Sequence, residues 1–479
     1  MLFVAVAVAT ALVYAGWVAW VPLLPTNIGR PALDLGQLTG YTWTSAAGLL
    51  VIVLVLFGLY ALGYRVIADN GEADRRPPVR TAWVFVGAAV FGAELLLAYP
   101  ATAADIFGYI ADGQLLALHH VNPLVVAPIV FPQDAIVPFL VYAGEPSQYG
   151  PLWVALSGAI AALTGTNLVN ELLLYKLVAL AAHLASGAVI FHIAARLTGS
   201  VASARASAFL FLWNPLLLWE MAGNGHNDGL MLLFGLIGIW VFITGRDVLA
   251  LACVCLGALV KVPIALIGPV IFVGVLRRSW VRALEGAAVG LALGALAYWP
   301  FWVGPQTLTA LQRADLFTAS LGAVLRLALL PAFGVDQASS VARTVSLTGF
   351  SVVAVLAVVF AFAAETDTER LRPAYWTLLA AVLLLTTWFQ AWYVVWPFGV
   401  GAALGESRRH VEGAALSLGG LLQYVVFIYL WPLAFPHTET LGIQLTAYLA
   451  LIGPLVVVCA WRLRLPLPRR MSASSAEYH

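Results

Sequence analysis

An all-α, polytopic membrane protein is the fold class the sequence predicts, on three observations. Of 479 residues, 62% are hydrophobic and only 10% charged, outside the range of a water-soluble domain. Apolar runs long enough to cross about 30 Å of hydrocarbon recur from one end of the chain to the other. A spanning backbone must satisfy its own hydrogen bonds, so these unbroken runs predict helices rather than the alternating pattern of a barrel.

Taken in order, residues 4 to 24 form a first span, and a short segment with Arg30 and Asp34 leads to a second at about 43 to 64. The first run has neither a charged leading region nor a small-residue cleavage site, and reads as a retained span. The loop carrying Arg65, Arg75, Arg76 and Arg80 marks the cytoplasmic side, because basic residues concentrate there. A third span, about 81 to 99, delivers the chain to residues 99 to 151, an acidic, proline-punctuated insert with Asp105, Asp112, Asp134 and Glu145. No Lys or Arg occurs between Arg80 and Lys176, which assigns this long loop to the outer face.

The remaining basic clusters test that topology. With Arg196 and Arg205, Arg246, Arg277 to Arg282, Arg370 and Arg372, Arg408 and Arg409, and the C-terminal arginines all inside, the outer segments are 100 to 170, 222 to 228, a turn near Lys261, 304 to 342, 388 to 393 and 433 to 440. The run at 151 to 164 is too short to span and reads as a re-entrant or interfacial helix; the count is then about 14 crossings. Helices at about 248 to 262 and 264 to 276 are short and meet at the break LVKVP. Broken helices at membrane depth are tolerated where they face protein or a wet cavity, so the Lys261–Pro263 hinge is expected to line a site. Residues 1 to 462 form one membrane domain and 463 to 479 a short cytoplasmic tail, with no internal repeat.

The net charge of +1, without any long basic run, excludes a nucleic-acid binder. Cys253, Cys255 and Cys459 sit in apolar runs with neither disulfide nor zinc spacing and read as small core residues. The only lysines are Lys176 and Lys261. Lys176, beside Glu171, reads as a snorkelling side chain.

Candidate chemistry gathers on the outer face. Asp105 begins the run DIFGYIADGQLLALHH, in which Ile106, Tyr109, Ile110, Leu115 and Leu116 predict an amphipathic helix in the interface. For Asp105 itself, helix N-cap and catalytic carboxylate are equally good readings. A second stretch, WNPLLLWEMAGNGHNDGLM, crowds Glu220, His226 and Asp228 into a Gly-rich turn, where ionisable groups near hydrocarbon are costly enough to point to function; the alternative is that Asn227 or Asp228 starts the next helix. His226 and Asp228 are compatible with a divalent cation, though spacing supplies no third ligand and no cofactor is required. Lys261 is either a phosphate holder, together with Arg313, or the partner of Glu220 or Asp228 in a structural ion pair. His183 and His192 read as core or interfacial, and Trp388, Trp392, Tyr393 and Trp396 as an interfacial belt or a sugar-stacking platform.

The strings DIFGYIADGQLLALHHVNP, QYGPLW, NPLLLWEMAGNGHNDGLM, LVKVP and WFQAWYVVWP, in this order over roughly residues 80 to 400, resemble the polyprenol-phosphomannose-dependent α-1,6-mannosyltransferases of bacterial lipomannan assembly, members of the GT-C glycosyltransferase superfamily. Two positions depart from the pattern: Leu124 follows NP where an aromatic is expected, and Ala391 stands where a proline usually precedes WY. The resemblance implies a GT-C-like membrane enzyme whose active site is the first large outer loop, with Asp105 as base. It implies inverting transfer of mannose from a β-linked polyprenyl-phosphate donor to a glycolipid or oligosaccharide acceptor, outside the bacterial plasma membrane. Lys261 or Arg313 would stabilise the leaving phosphate, and Glu220, His226 and Asp228 would orient donor or acceptor. Tyr109, Asn122, Tyr149, Asn227, Gln390, Trp392 and Tyr393 lie in the matching strings as further substrate-binding candidates. Rival readings are a GT-C transferase using another polyprenyl-phosphate sugar and a lipid flippase or transporter; the latter should carry midplane charges in paired halves.

Overall fold

A computed structural model describes residues 1–31, 34–69, 79–312, 316–435 and 439–464. Among the described residues the architecture is helical, with no strand and only two isolated bridges, Pro22 to Ala98 and Thr318 to Trp388. Seven helices are long and apolar enough to cross a membrane. The pair Val201–Leu212 and Pro215–Gly223, bent by 50°, makes an eighth if it is one span, and shorter apolar helices cover Thr81–Leu96, Pro151–Thr164, Asp228–Ile243 and Asp247–Val260.

The helices that frame the site are α1 (Leu2–Trp20), α2 (Trp43–Asp69), α3 (Thr81–Leu96), α4 (Asp105–Ala117), α5 (Pro151–Thr164), α6 (Leu168–Thr198), α7 (Val201–Leu212), α8 (Asp228–Ile243) and α9 (Asp247–Val260). They continue as α10 (Gly268–Arg278), α11 (Trp280–Tyr298), α12 (Leu321–Ala363), α13 (Asp367–Ala380), α14 (Val395–Ala403), α15 (Ser407–Tyr424) and α16 (Leu441–Arg464). The expected break at LVKVP is present: α9 ends at Val260, a 3-10 turn covers Val262–Ile267, and α10 follows. Pro263 has no N–H to continue the ladder, so the chain leaves the α geometry there.

Three expectations need correction. The helix beginning at Asp105 is not a half-wet interfacial helix: Ile106, Phe107, Tyr109, Ile110, Asp112, Gln114 and Leu115 are all buried. The rest of the insert roofs it, as where Phe107 meets Phe139 at 4.9 Å, and α5 lies along it through Tyr109 and Trp153 at 5.0 Å. Lys176 does not snorkel. It is fully buried on α6 and donates to the carbonyls of Leu95 at 3.2 Å, Leu96 at 3.3 Å and Ala98, at and just beyond the C-terminus of α3. The segment 304 to 342, expected as a loop outside the membrane, contains the first arm of α12.

That helix folds back on itself. Gly334 takes φ 71° and ψ 174°. Arg326 donates to Ser339 Oγ at 3.1 Å, although thirteen residues of straight helix would separate them by about 20 Å. Arginine pairs collect at the helix ends away from Lys261: Arg278 joins Asp247 (2.9 Å) and Asp367 (3.1 Å), and Arg372 joins Glu406 (2.6 Å). Asp247 opens α9 and Lys261 follows its last residue, so these clusters and the Lys261 end sit about 20 Å apart along that axis.

Candidate active site

Asp105 is the first residue of α4, and no side-chain cap bond is made at that N-terminus. Its Oδ1 instead accepts from the Tyr149 hydroxyl at 3.0 Å, and its Oδ2 lies 3.7 Å from Nδ1 of His226. The carboxylate is partly open to a cavity of about 230 Å³ whose wall includes Gly108, Asp112, Tyr149, Gln390 and Trp392. Tyr149 is half-buried, and desolvation together with the Asp105 charge pushes its phenol well above the ordinary value, so it keeps its proton and stays the donor.

Two backbone devices bring Tyr149 here. Gly150 donates its N–H to Val260 O at 3.1 Å, and a Cβ at Gly150 would collide with the Leu259 carbonyl. Only glycine permits that approach, which joins the acidic insert to the LVKVP break. On the other side, Thr102 Oγ1 accepts from Trp219 Nε1 at 2.9 Å and from Asn224 Nδ2 at 2.8 Å, tying the approach to Asp105 to a π-helical turn at Trp219–Gly223. Gly225 then adopts φ 74°, a left-handed conformation that glycine enters at no steric cost, and turns the chain so that His226 faces Asp105.

Glu220, His226 and Asp228 are fully buried. Glu220 accepts from the Tyr424 hydroxyl at 2.6 Å and from Asn224 Nδ2 at 2.8 Å, and lies 3.2 Å from His226 Nε2. His226 thus sits between two carboxylates, its ring stacked on Trp392 with centroids 4.1 Å apart. Asp228 begins α8, as the capping alternative supposed, but its oxygens are used otherwise: Trp396 Nε1 donates at 2.6 Å and Lys261 Nζ at 2.7 Å. The ion-pair reading of Lys261 is therefore realised with Asp228. An ammonium carries three donors, and Lys261 remains partly exposed, its Nζ 5.8 Å from the Tyr149 ring and 5.6 Å from that of Tyr393.

The structure brings most of the sequence candidates together. Tyr109 donates to Asn227 Oδ1 at 3.3 Å, behind Tyr149. Gln390 and Trp392 line the cavity, and Tyr393 stacks on Trp396 at 4.4 Å. These aromatics do not form a lipid-facing belt; Trp392 and Trp396 are buried because they pack on His226 and hold Asp228. Asn122 lies apart, donating to Phe301 O at 2.6 Å beside a separate cavity near Leu116 and His120. Arg313 lies outside the described residues. Among the described residues no three His, Cys, Asp or Glu side chains converge as metal ligands. Sequence reasoning missed Thr102, Asn224 and Tyr424; the first two had a signal in their nearness to Asp105 and to Glu220, whereas Tyr424 sits in an apolar helix 204 residues from its partner.

The chain is similar to known proteins over most of its length. The chain is 26% identical over 410 residues, 81% of its length and 74% of the other, to alpha-(1->6)-mannopyranosyltransferase A of Mycobacterium tuberculosis. Over 210 residues it is 30% identical to alpha-(1->6)-mannopyranosyltransferase B of Corynebacterium glutamicum, covering 41% of this chain and 34% of that one. The family model for the N-terminal domain of alpha-(1->6)-mannopyranosyltransferases matches residues 2–277, more than half of the chain and the part that contains Asp105, Tyr149, His226, Asp228 and Lys261. The chain belongs to the alpha-(1->6)-mannopyranosyltransferase family.

Proposed function

We propose that this chain is a membrane mannosyltransferase that moves mannose from a polyprenyl-phosphate donor to a sugar hydroxyl of a glycolipid or mannan acceptor, with inversion and formation of an α-1,6 linkage. The carrying observation is that one side chain, Tyr149, touches both halves of such a reaction: its hydroxyl donates to Asp105 and its ring lies beside Lys261.

In this reading the acceptor hydroxyl enters the cavity and gives its proton to Asp105 as its oxygen bonds the anomeric carbon. The bond from that carbon to the phosphate oxygen breaks, and the polyprenyl phosphate departs with the electron pair. Negative charge grows on that phosphate, where the two ammonium protons of Lys261 not engaged by Asp228 can meet it; Arg313 would be a second cation. Asp228 keeps Lys261 in place, and Trp392, backed by the buried His226 ring, lines the cavity where a sugar ring can rest. Glu220, Asn227, Gln390 and Tyr393 hold that wall, and Tyr109 supports Tyr149 from behind. Asn122 would act only on a substrate part reaching the neighbouring cavity.

The membrane setting belongs to the same proposal: a single GT-C-like domain over residues 1 to 462 in the bacterial plasma membrane, with the site outside and residues 463 to 479 inside. About 14 crossings exceed the seven or eight long apolar helices, so several of the shorter helices beyond them would have to traverse as well. A basic set at the opposite end of α9 from Lys261 supports that orientation. The experiment is transfer of labelled mannose from polyprenyl-phosphate mannose to a mannan acceptor by the purified protein, with linkage analysis of the product. Absence of transfer, or transfer only from another polyprenyl-phosphate sugar, overturns it.

A further inference from the structure

Asp112 has no part in the reaction just described, yet it opens onto the same cavity as Asp105. Asp105, Gly108 and Asp112 recur at three and seven residues along α4, so all three face one way. Only 4% of Asp112 is exposed. Ser147 donates to its Oδ2 at 2.6 Å, while Oδ1 accepts from no described group. That oxygen opens to the cavity, and in a residue otherwise enclosed by protein a ligand hydroxyl there would complete its bonding. Burial pushes the Asp112 carboxyl up to about 7, so that near neutrality it can either accept from a hydroxyl or donate to one.

Seven residues of helix carry Asp112 about 10 Å along the axis from Asp105. A hydroxyl meeting Asp112 is therefore not the one that Asp105 deprotonates, and it belongs to a neighbouring unit of the same acceptor. Glu145 and Gln148, which line the same cavity, lie beside Ser147 in the chain. Lys261 is not part of the wall, so the donor phosphate would leave this end to the acceptor.

We propose that Asp112, held by Ser147, is a specificity-determining residue that hydrogen-bonds a hydroxyl of the acceptor sugar adjacent to the one receiving mannose. This rests on Asp105 being the base. It makes the enzyme a reader of at least two acceptor units, so that two-unit glycans are favoured over one-unit ones.

The test compares a two-unit mannoside acceptor with a set of its monodeoxy forms, each lacking one hydroxyl on the non-reacting unit. In the wild-type protein one deoxy form is expected to lose about tenfold or more in kcat/KM, chiefly through KM, the scale of a hydrogen bond to a charged group. In Asp112→Ala, which removes the partner, and in Ser147→Ala, which frees it from its anchor, that penalty shrinks to within about twofold; such a cycle isolates the pair. A wild type indifferent to every deoxy change overturns the proposal, and so does an unchanged penalty in both variants. An equal loss for all acceptors, with the penalty intact, shows a structural role for Asp112 and also overturns it. Transfer by the wild type and its loss in Asp105→Asn report separately on the underlying reading.

Discussion

Tyr149 and Asp105, 44 residues apart, meet at 3.0 Å with the phenol as donor and a carboxylate oxygen as acceptor. The contact exists because Gly150 is pressed against the last turn of α9, which lowers the Tyr149 hydroxyl onto the first residue of α4. It also sets Lys261 beside the same ring, so the Asp105 carboxylate and the Lys261 ammonium share one support.

The first prediction concerns the base. Asp105→Asn keeps shape and can still accept from Tyr149, but it cannot take a proton from an attacking hydroxyl. Mannose transfer should fall by about 10²- to 10⁴-fold with unchanged expression in membranes. Transfer of labelled mannose from polyprenyl-phosphate mannose measures it; wild-type rates would remove Asp105 from the mechanism.

Tyr149→Phe retains the ring beside Lys261 and deletes only the donor to Asp105. A net loss of about 1.5 kcal/mol is expected, read as roughly a tenfold fall in kcat. The KM for donor should change less than twofold, since the ring and Lys261 remain. A defect confined to KM would mean that the hydroxyl serves substrate binding instead.

The Asp228–Lys261 pair allows structure and chemistry to be separated. Lys261→Met leaves the fully buried Asp228 carboxylate without its counter-charge, which should cost about 3–5 kcal/mol. The double change with Asp228→Asn should recover most of the thermal stability of the detergent-solubilised protein while transfer stays impaired. Recovery of transfer together with stability would assign Lys261 a structural role alone.

The pH dependence of stability follows from Asp112. Its carboxyl is raised from 3.8 to about 7 by burial, which outweighs the opposing Ser147 bond. Between those values the folded state holds a proton that the unfolded state has released, so stability declines as pH rises from about 4 to about 7. Asp112→Asn removes the titration: its Tm should exceed the wild-type value at pH 8, with a smaller difference at pH 4. Parallel Tm curves for the two proteins across this range would contradict it.

What was legible in the sequence came from composition and local order. Apolar runs forced helices because a lipid-embedded backbone has no other way to satisfy its polar groups. The acidic insert, the His-containing turn and the LVKVP break stood out because charge and proline are expensive inside such a chain. Hence Asp105, His226, Asp228 and Lys261 could be singled out before any geometry was known.

The tertiary structure decided which of these groups touch. Whether Asp105 caps α4 or faces a cavity depends on Tyr149 and on His226, 44 and 121 positions away in sequence, and no local periodicity encodes such distances. The same holds for Lys176: charge pattern sends it to the lipid boundary, while packing of α6 against α3 turns it inward onto three carbonyls. Gly334 folds α12 into two arms although its residues read as continuous helix and loop. The sequence by itself determined a helical membrane protein with polar chemistry gathered in one acidic insert and two helix breaks. Only the packing of helices determined that Tyr149 joins Asp105 to Lys261 and that Asp112 keeps a carboxyl oxygen open to the cavity, because side-chain partners are set by which helix faces meet.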